Sequence, residues 1–386
     1  MINIIFDGNY LFRKTFAIFR GFGPKQKLPQ EVLSTEKQRG EFIRKVTTDF
    51  SFGLDNLPRG GRVVITFDRK SWRKEFYEGY KASREKDPEE DWKPFFDMVT
   101  EFSAILEDKG FIISSADGAE ADDMIYKWCD YFSGLGESSI VVTGDGDLSQ
   151  LIKGIGFPFI TCWDNNSKKL RLFTELGWKF NWLGTEQKST NLFDLDFNSS
   201  DAKGTLRSLL NKTELVEINP DDVVLEKMLS GDDGDDVPSV WIIEKTSPEG
   251  KVTKTRITGK KTEKIMEAFR SVYSPKIKDW WDNEEALDYL SGLILRVIGD
   301  VDGVEERKRV TENIKRNMGL VWLNDIVIPK DIVDDINSHI KRKMEVSGFP
   351  KGIKRQFILE ETKYSFSNKE ATNRSVPQGF NPMDML

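Results

Sequence analysis

The sequence predicts an α/β protein: a parallel, twisted sheet with flanking helices. Short apolar runs recur over roughly the first 160 residues, around Ile4 and at Val63–Phe67, Phe111–Ser114, Ile140–Thr143 and Phe159–Trp163. Between them lie EFIRKVTTDFSFGL, PFFDMVTEFSAILEDKG and ADDMIYKWCDYF, whose apolar residues recur at helical spacing. Unbroken apolar runs read as strands buried on both faces, and their alternation with helices is the mark of a parallel sheet.

At 386 residues the chain is long for one domain, so two domains or one core with large insertions are expected. A hydrophobic content of 38% allows a buried core, while 31% charged residues and a mean hydropathy of −0.48 predict solubility. No apolar run approaches the roughly 18 residues that cross a bilayer. The opening MINIIFDGNYLFRK has no basic leader or small-residue cleavage site, so it reads as a first strand and not as a signal peptide. Two cysteines, Cys129 and Cys162, cannot build a disulfide framework and fit a reducing cytoplasm. The single histidine, His339, leaves no material for a Ser-His-Asp triad or a histidine-rich zinc site. Its setting in DDINSHIKRK reads as solvated helix, so carboxylates and lysines must carry any catalysis.

The segment RKSWRKEFYEGYKASREKDPEE, from Arg69 to Glu90, has no wide apolar face and reads as a basic, exposed, partly helical excursion. TCWDN and KKLRLF suggest a hairpin. Residues 174–221 look like an insertion. The pattern turns helical over 222–345, in DDVVLEKML, KTEKIMEAFRSVY, NEEALDYLSGLILRVI and ERKRVTENIKRNMGLVWL. The polar residues 362–386 read as a flexible tail. The expected organisation is therefore an α/β core over 1–173 with an excursion at about 69–96, the insertion, the helical region and the tail.

Acids stand where strands end or helices begin. Asp7 follows the first strand and Asp68 follows VVITF; Asp145 and Asp147 follow IVVT, and Glu120, Asp122 and Asp123 open a helix. In a parallel sheet these positions face one edge, so seven carboxylates would converge. Clustered like charges disfavour ionisation unless cations neutralise them, and oxygen-only ligands suit Mg²⁺ or Mn²⁺. Each motif alone has a plain structural reading, as a turn, a favourable helix-dipole interaction or a solvated loop. The run LSGDDGDDVPSV lacks the spacing and closing Glu of an EF-hand.

Taken in order, DGNYLFR, FDRKSWRKEFYEGYKASR, GAEADD, VVTGDGDLSQL and GDDGDDVPSV resemble the flap-endonuclease or 5′-to-3′ exonuclease family, most of all its phage ribonuclease H branch. The resemblance covers about 1–165 and 222–345. It implies a PIN-like (5′-nuclease) fold with a helical arch and a helical C-terminal DNA-binding region, and an enzyme that removes RNA primers or 5′ flaps during replication. It implies two Mg²⁺ ions, with Mn²⁺ as substitute: Asp7, Asp68, Glu120, Asp122 and Asp123 match one ligand cluster, and Asp145, Asp147, Asp232 and Asp235 the other. Asp233 and Asp236 fall at variable positions. Asp68 and Asp145 then belong to the catalytic set with Lys81 and Arg84, whose charge would stabilise the transition state. Arg13, Arg73, Tyr80, Lys81 and Arg84 match nucleic-acid contacts, Tyr80 by stacking on a base.

The resemblance also reconciles the net charge of −7 with a nucleic-acid partner, because setting aside those nine carboxylates leaves the remainder slightly positive. Expected partners are DNA with 5′ single-stranded ends and RNA–DNA hybrids. The terminal GFNPMDML resembles sliding-clamp-binding peptides, and a cytoplasmic monomer, in host cytoplasm for a phage protein, is the default. One departure stands out: VWIIEKTSPEG replaces the Gly-Ile-Gly hairpin with which many relatives hold duplex DNA. A PIN-like ribonuclease is usually shorter and lacks the arch, and the RNase H fold opens with antiparallel strands. A non-catalytic branched-DNA binder or clamp-tethered adaptor would leave the clustered acids unexplained.

Overall fold

The computed structural model describes residues 2–56, 61–84, 89–153, 159–164, 169–172, 214–246 and 252–346. The expected tail at 362–386 and nearly all of the expected insertion lie outside them. The chain divides into two compact units: Met1–Ser71, Lys86–Ile218 and Pro329–Leu386 form unit 1, and Trp72–Glu85 with Asn219–Ile328 forms unit 2. The last helix, Lys330–Val346, falls inside the expected helical region but groups with unit 1.

Unit 1 is built on a seven-stranded sheet: β1 (Ile2–Asp7), β2 (Val63–Thr66), β3 (Ile112–Ser114), β4 (Ser138–Val142), β5 (Ile160–Asp164), β6 (Lys169–Leu172) and β7 (Glu214–Glu217). Their order is β3-β2-β1-β4-β5-β6-β7. The first five are parallel, as the apolar runs predict. The sheet is nonetheless mixed, because β6 runs antiparallel to β5 as the far arm of the expected hairpin. Beyond it β7, from within the expected insertion, pairs parallel to β6.

Alternation along the strands separates two cores. Ile4, Phe6, Val63, Ile65, Ile140 and Val142 join Phe12, Phe16, Val32, Phe42, Phe95 and Phe102 from helices α1 (Gly8–Arg20), α2 (Pro29–Val32), α3 (Glu36–Asn56) and α5 (Lys93–Asp108). The intervening Ile5, Val64 and Val141 are just as buried but stand outside that cluster. Helix α6 (Ala121–Gly134) packs on β1, β2 and β4, and the helix Lys330–Val346 packs on α6 and β3. Tilted and edge-on ring pairs such as Phe16–Phe95 and Phe12–Phe102 fill the aromatic core, which needs no polar partner.

Unit 2 packs the helices Pro220–Ser230, Lys260–Arg270, Glu284–Ile298 and Val304–Val321 around Leu225, Met228, Phe269, Trp280, Leu290, Ile294 and Ile314. Where the Gly-Ile-Gly hairpin is missing, an antiparallel ribbon pairs β8 (Ile242–Thr246) with β9 (Val252–Arg256). The excursion is not the exposed segment the sequence suggests. Trp72, Arg73 and Tyr80 are buried, and its described part holds one short helix, α4 (Arg73–Phe76). Among the described residues no helix is long and apolar enough to cross a membrane.

Candidate active site

In a sheet of this order the chain winds outward from β1 to β2 and β3, then starts again at β4 on the other side of β1. Ligands bind beyond the carboxyl ends of the strands at such a switch point. Asp7 stands there at the end of β1, and Thr143 follows β4. Asp7 also caps α1, its Oδ1 accepting from the Tyr10 N–H at 2.9 Å, while its Oδ2 accepts from Thr143 Oγ1 at 3.1 Å. Thr143 Oγ1 in turn accepts from the Asp145 N–H at 3.0 Å, and Asp145 Oδ1 accepts from the Asp147 N–H at 2.8 Å. One hydroxyl thus links the acids of two strands. Asp68, after β2, is fixed by the Ala121 N–H, which donates to its Oδ1 at 2.7 Å.

The electrostatics report how near these acids lie. Burial raises the Asp7 carboxyl to about 7, and the charges of Asp68 and Asp145 push the same way against the hydrogen bonds from Tyr10 and Thr143. Burial also raises Asp122 well above the ordinary carboxylate range, helped by Asp145, Asp7, Glu120 and Asp68. Asp7 and Asp122 thus each feel the charges of other expected ligands, as acids at the strand ends and at a neighbouring helix start should. Among the described residues, however, no three His, Cys, Asp or Glu side chains are gathered as a ready-made metal shell. The donors are of the right kind for a hard cation, but they do not stand in a closed ligand set.

Asp123 departs from its expected role. It is fully buried, and its Oδ2 accepts from the Glu120 N–H at 3.0 Å in a capping box, so it orients Glu120 and the start of α6. Arg13 is half-buried on α1.

The remaining expected residues meet in unit 2. Asp232 to Val237 close a tight loop, with the Asp232 N–H donating to Val237 O at 2.8 Å and the Val237 N–H to Asp232 O at 2.9 Å. Asp235 is the hub: Arg84 Nη2 donates to its Oδ1 at 2.5 Å, Tyr80 Oη donates to its Oδ2 at 3.1 Å, and Lys81 Nζ stands 3.7 Å from that oxygen. Burial would raise Asp232, but its hydrogen bond to Lys227 and that residue's charge hold it below the usual range. Lys81 and Asp236 both adopt left-handed backbone conformations, with φ of 54° and 55°, where the two segments join. Side chains other than Gly, Asn or Asp rarely accept that geometry without cost, so the surrounding contacts must hold it.

Two expected contacts fail on burial. Arg73 is 2% exposed, its Nε donates to Leu320 O at 2.9 Å and its guanidinium stacks on Trp72, so it is spent inside unit 2 and not on phosphate. Tyr80 is 3% exposed against Val237 and Leu320, so its ring is not presented to a base.

Sequence reasoning missed Thr143, Lys227, Arg171 and Arg256. Arg171 Nη1 donates to the Asp145 carbonyl at 2.6 Å, and Arg256 binds Asp233 through both guanidinium nitrogens at 2.5 and 2.8 Å. Thr143 was readable as the hydroxyl between strand and GDGD; the others depend on pairings that spacing does not reveal.

Residues 3–177 match the family model of the 5′-3′ exonuclease N-terminal, resolvase-like domain. That match, over a little under half of the chain, makes this segment similar to the domain that the motif order leads one to expect. Ribonuclease H of Enterobacteria phage T4 is 30% identical over 118 residues, covering 28% of this chain and 37% of that protein. DNA polymerase I of Mycobacterium leprae is 32% identical over 155 residues, covering 39% of this chain and 15% of that one. The chain thus spans well under half the length of these relatives. Among solved structures, a phage T5 protein co-crystallised with metal ions matches with a TM-score of 0.51 at 15% identity, over 90% of this chain and 100% of that one. The phage T5 flap endonuclease in a complex with DNA and metal ions matches at 0.50 and 16%, over 89% and 100%. At such identities the likeness speaks to the fold.

Proposed function

We propose that this chain is a Mg²⁺-dependent 5′-nuclease, a 5′-to-3′ exonuclease and flap endonuclease with ribonuclease H activity that removes RNA primers or 5′ flaps during DNA replication. The observation that carries this reading is the strand-end set Asp7, Asp68 and Asp145, held by Thr143 and the Ala121 N–H and acting with Glu120 on Asp122, inside the segment that matches the exonuclease domain. Such a cluster is stable in its ionised form only beside cations.

Asp7, Asp68, Glu120, Asp122, Asp145 and Asp147 are the residues that would hold metal in unit 1, with Asp232 and Asp235 in unit 2. Two ions there would supply a water of lowered pKa and positive charge beside the scissile phosphate. The protein's own groups do the rest. Thr143 and the Ala121 N–H fix the directions in which Asp7 and Asp68 present their oxygens. Lys81 and Arg84 bind phosphate oxygens and stabilise the charge that builds as the phosphodiester opens to a 5′-phosphate and a 3′-hydroxyl. Their pairing with Asp235 keeps both cations oriented before substrate arrives. Substrates are DNA with single-stranded 5′ ends and RNA–DNA hybrids. Residues 379–386, outside the described part, dock on a sliding clamp, and the protein acts as a monomer in the cytoplasm.

A non-catalytic binder of branched DNA is the second reading. It is favoured by the ion pairs that neutralise Asp232 and Asp235. A labelled 5′-flap duplex, a nicked duplex and an RNA-primed DNA, each with Mg²⁺ or EDTA, separate the two. Short 5′ products that require Mg²⁺ support the nuclease and rank its substrates; tight flap binding without cleavage in Mg²⁺ or Mn²⁺ supports the binder.

A further inference from the structure

Unit 1 holds a cavity of about 670 Å³ whose lining contains none of the expected metal ligands. Its walls come from three places: Arg69 just after β2, the loop Ser115–Asp117 after β3, and the helix Lys330–Val346. On that helix Asp335, His339, Arg342 and Lys343 recur at spacings of three and four, which stack them on one face. The loop reaches the helix through Gly118. Its φ is +77°, a left-handed conformation that favours glycine, and a Cβ there would stand 2.4 Å from Ile332 Cδ1, so loop and helix approach closely.

The charges are sorted by depth. Arg69 is 6% exposed and Lys343 17%, whereas Asp117, which faces Arg69 at 3.6 Å, is 90% exposed. Asp335, Arg342 and Glu345 lie at the solvated rim. Glu107 meets Lys343 at 2.6 Å. Water and salt screen the rim acids, while the inner cations act through a less polarisable interior. A second observation comes from His339. Its Nε2 is buried and makes no hydrogen bond to another described group of the protein, so it is available to a ligand in the cavity. Burial, with the charges of Lys343, Arg342 and Arg69, also lowers this imidazole to about 4, so it is neutral at pH 7.

We infer that this cavity is a binding site for a phosphate-class anion, in which Arg69 and Lys343 supply the inner charge, His339 Nε2 donates a hydrogen bond and Arg342 closes the mouth. The volume lies within the range of small-ligand pockets, and two chemically equivalent sources fit the charge: a phosphate monoester or one phosphate of a strand. Arg69 ties the cavity to the neighbouring segment, since its N–H donates to Ala119 O at 2.9 Å, just ahead of Glu120. The inference does not depend on cleavage.

The chain's only histidine makes the test direct, because the imidazole region of an NMR spectrum contains a single residue. The full chain at pH 7 in EDTA, at constant ionic strength, is titrated with inorganic phosphate, a nucleoside 5′-monophosphate, or a short 5′-phosphorylated single-stranded DNA. The site predicts a saturable shift of the His339 signal, weakened at least about tenfold in Arg342→Ala, the size expected for a lost charge-assisted contact. Saturation by the monophosphate identifies a free monoester as ligand; saturation by the oligonucleotide alone identifies a strand phosphate. A signal that stays fixed, drifts without saturating as it does in chloride, or saturates equally in Arg342→Ala overturns the site.

Discussion

At the scale of single residues, Asp7 and His339 titrate with opposite signs. Asp7 keeps its proton up to about pH 7 in the folded protein against an ordinary value of 3.8. The folded state therefore binds more protons than the unfolded one, and this group makes stability fall as pH rises between those values. Asp7→Asn is expected to raise the stability of the metal-free protein by a few kcal/mol at pH 8 and by much less at pH 4, read from urea unfolding. Saturating Mg²⁺ should shrink the difference, and a stability gain equal at both pH values would contradict the assignment. His339 is lowered from 6.5 to about 4, so the folded state binds fewer protons and loses stability as pH falls through that window. His339→Gln should flatten the acid limb between pH 6.5 and 4; an unchanged limb would show that other groups govern it.

Single residues also mark where the sequence was readable. Asp7, Asp68 and Asp145 were legible as candidates because each follows a buried strand, and Asp122 because it opens a helix in the same set of motifs. Asp123 was not separable from them, since a capping-box acid and a ligand share the same first helical turn. Arg73 and Tyr80 were misread for a different reason. RKEFYEGYK has no helical apolar stripe, yet Trp72 and Tyr80 are buried, because irregular backbone buries side chains without a period.

Among the elements, the loop Asp232–Val237 depends on the residue before it. Gly231 has φ of +77°, and a Cβ there would lie 2.3 Å from Val237 O. Gly231→Ala should cost about 2 kcal/mol or more through strain and collision with backbone, and should loosen the ion pairs of Asp232 and Asp235. Thermal unfolding measures the loss; a melting temperature within a degree of wild type would contradict it. Lys81 tests the same region kinetically. Lys81→Ala is expected to reduce the single-turnover cleavage rate about tenfold or more while changing substrate Kd far less, and an effect on Kd alone would leave Lys81 a binding contact. The five parallel strands were legible because each is a short unbroken apolar run. β7 (ELVE) and β8–β9 (IIEKT, VTKTR) were not, being short, charged and dependent on their partners for strand conformation.

For the whole molecule, the fold class followed from β-α alternation, and the order of five weak motifs pointed to the family. What the sequence could not give was the division of the expected ligands, with Asp7, Asp68, Glu120, Asp122, Asp145 and Asp147 in unit 1 and Asp232 and Asp235 in unit 2. Nor could it give the pairing of Asp235 with the very cations assigned to phosphate. The central claim is that the switch-point carboxylates cut nucleic acid when a divalent cation joins them. The most direct measurement is single-turnover cleavage of a 5′-labelled flap duplex in Mg²⁺ by wild type and Asp145→Asn, with folding of the variant checked by its melting curve. The account predicts a loss of at least about a hundredfold in a variant that stays folded and still binds the flap. Equal rates from the two proteins, or cleavage that persists in EDTA, would contradict it.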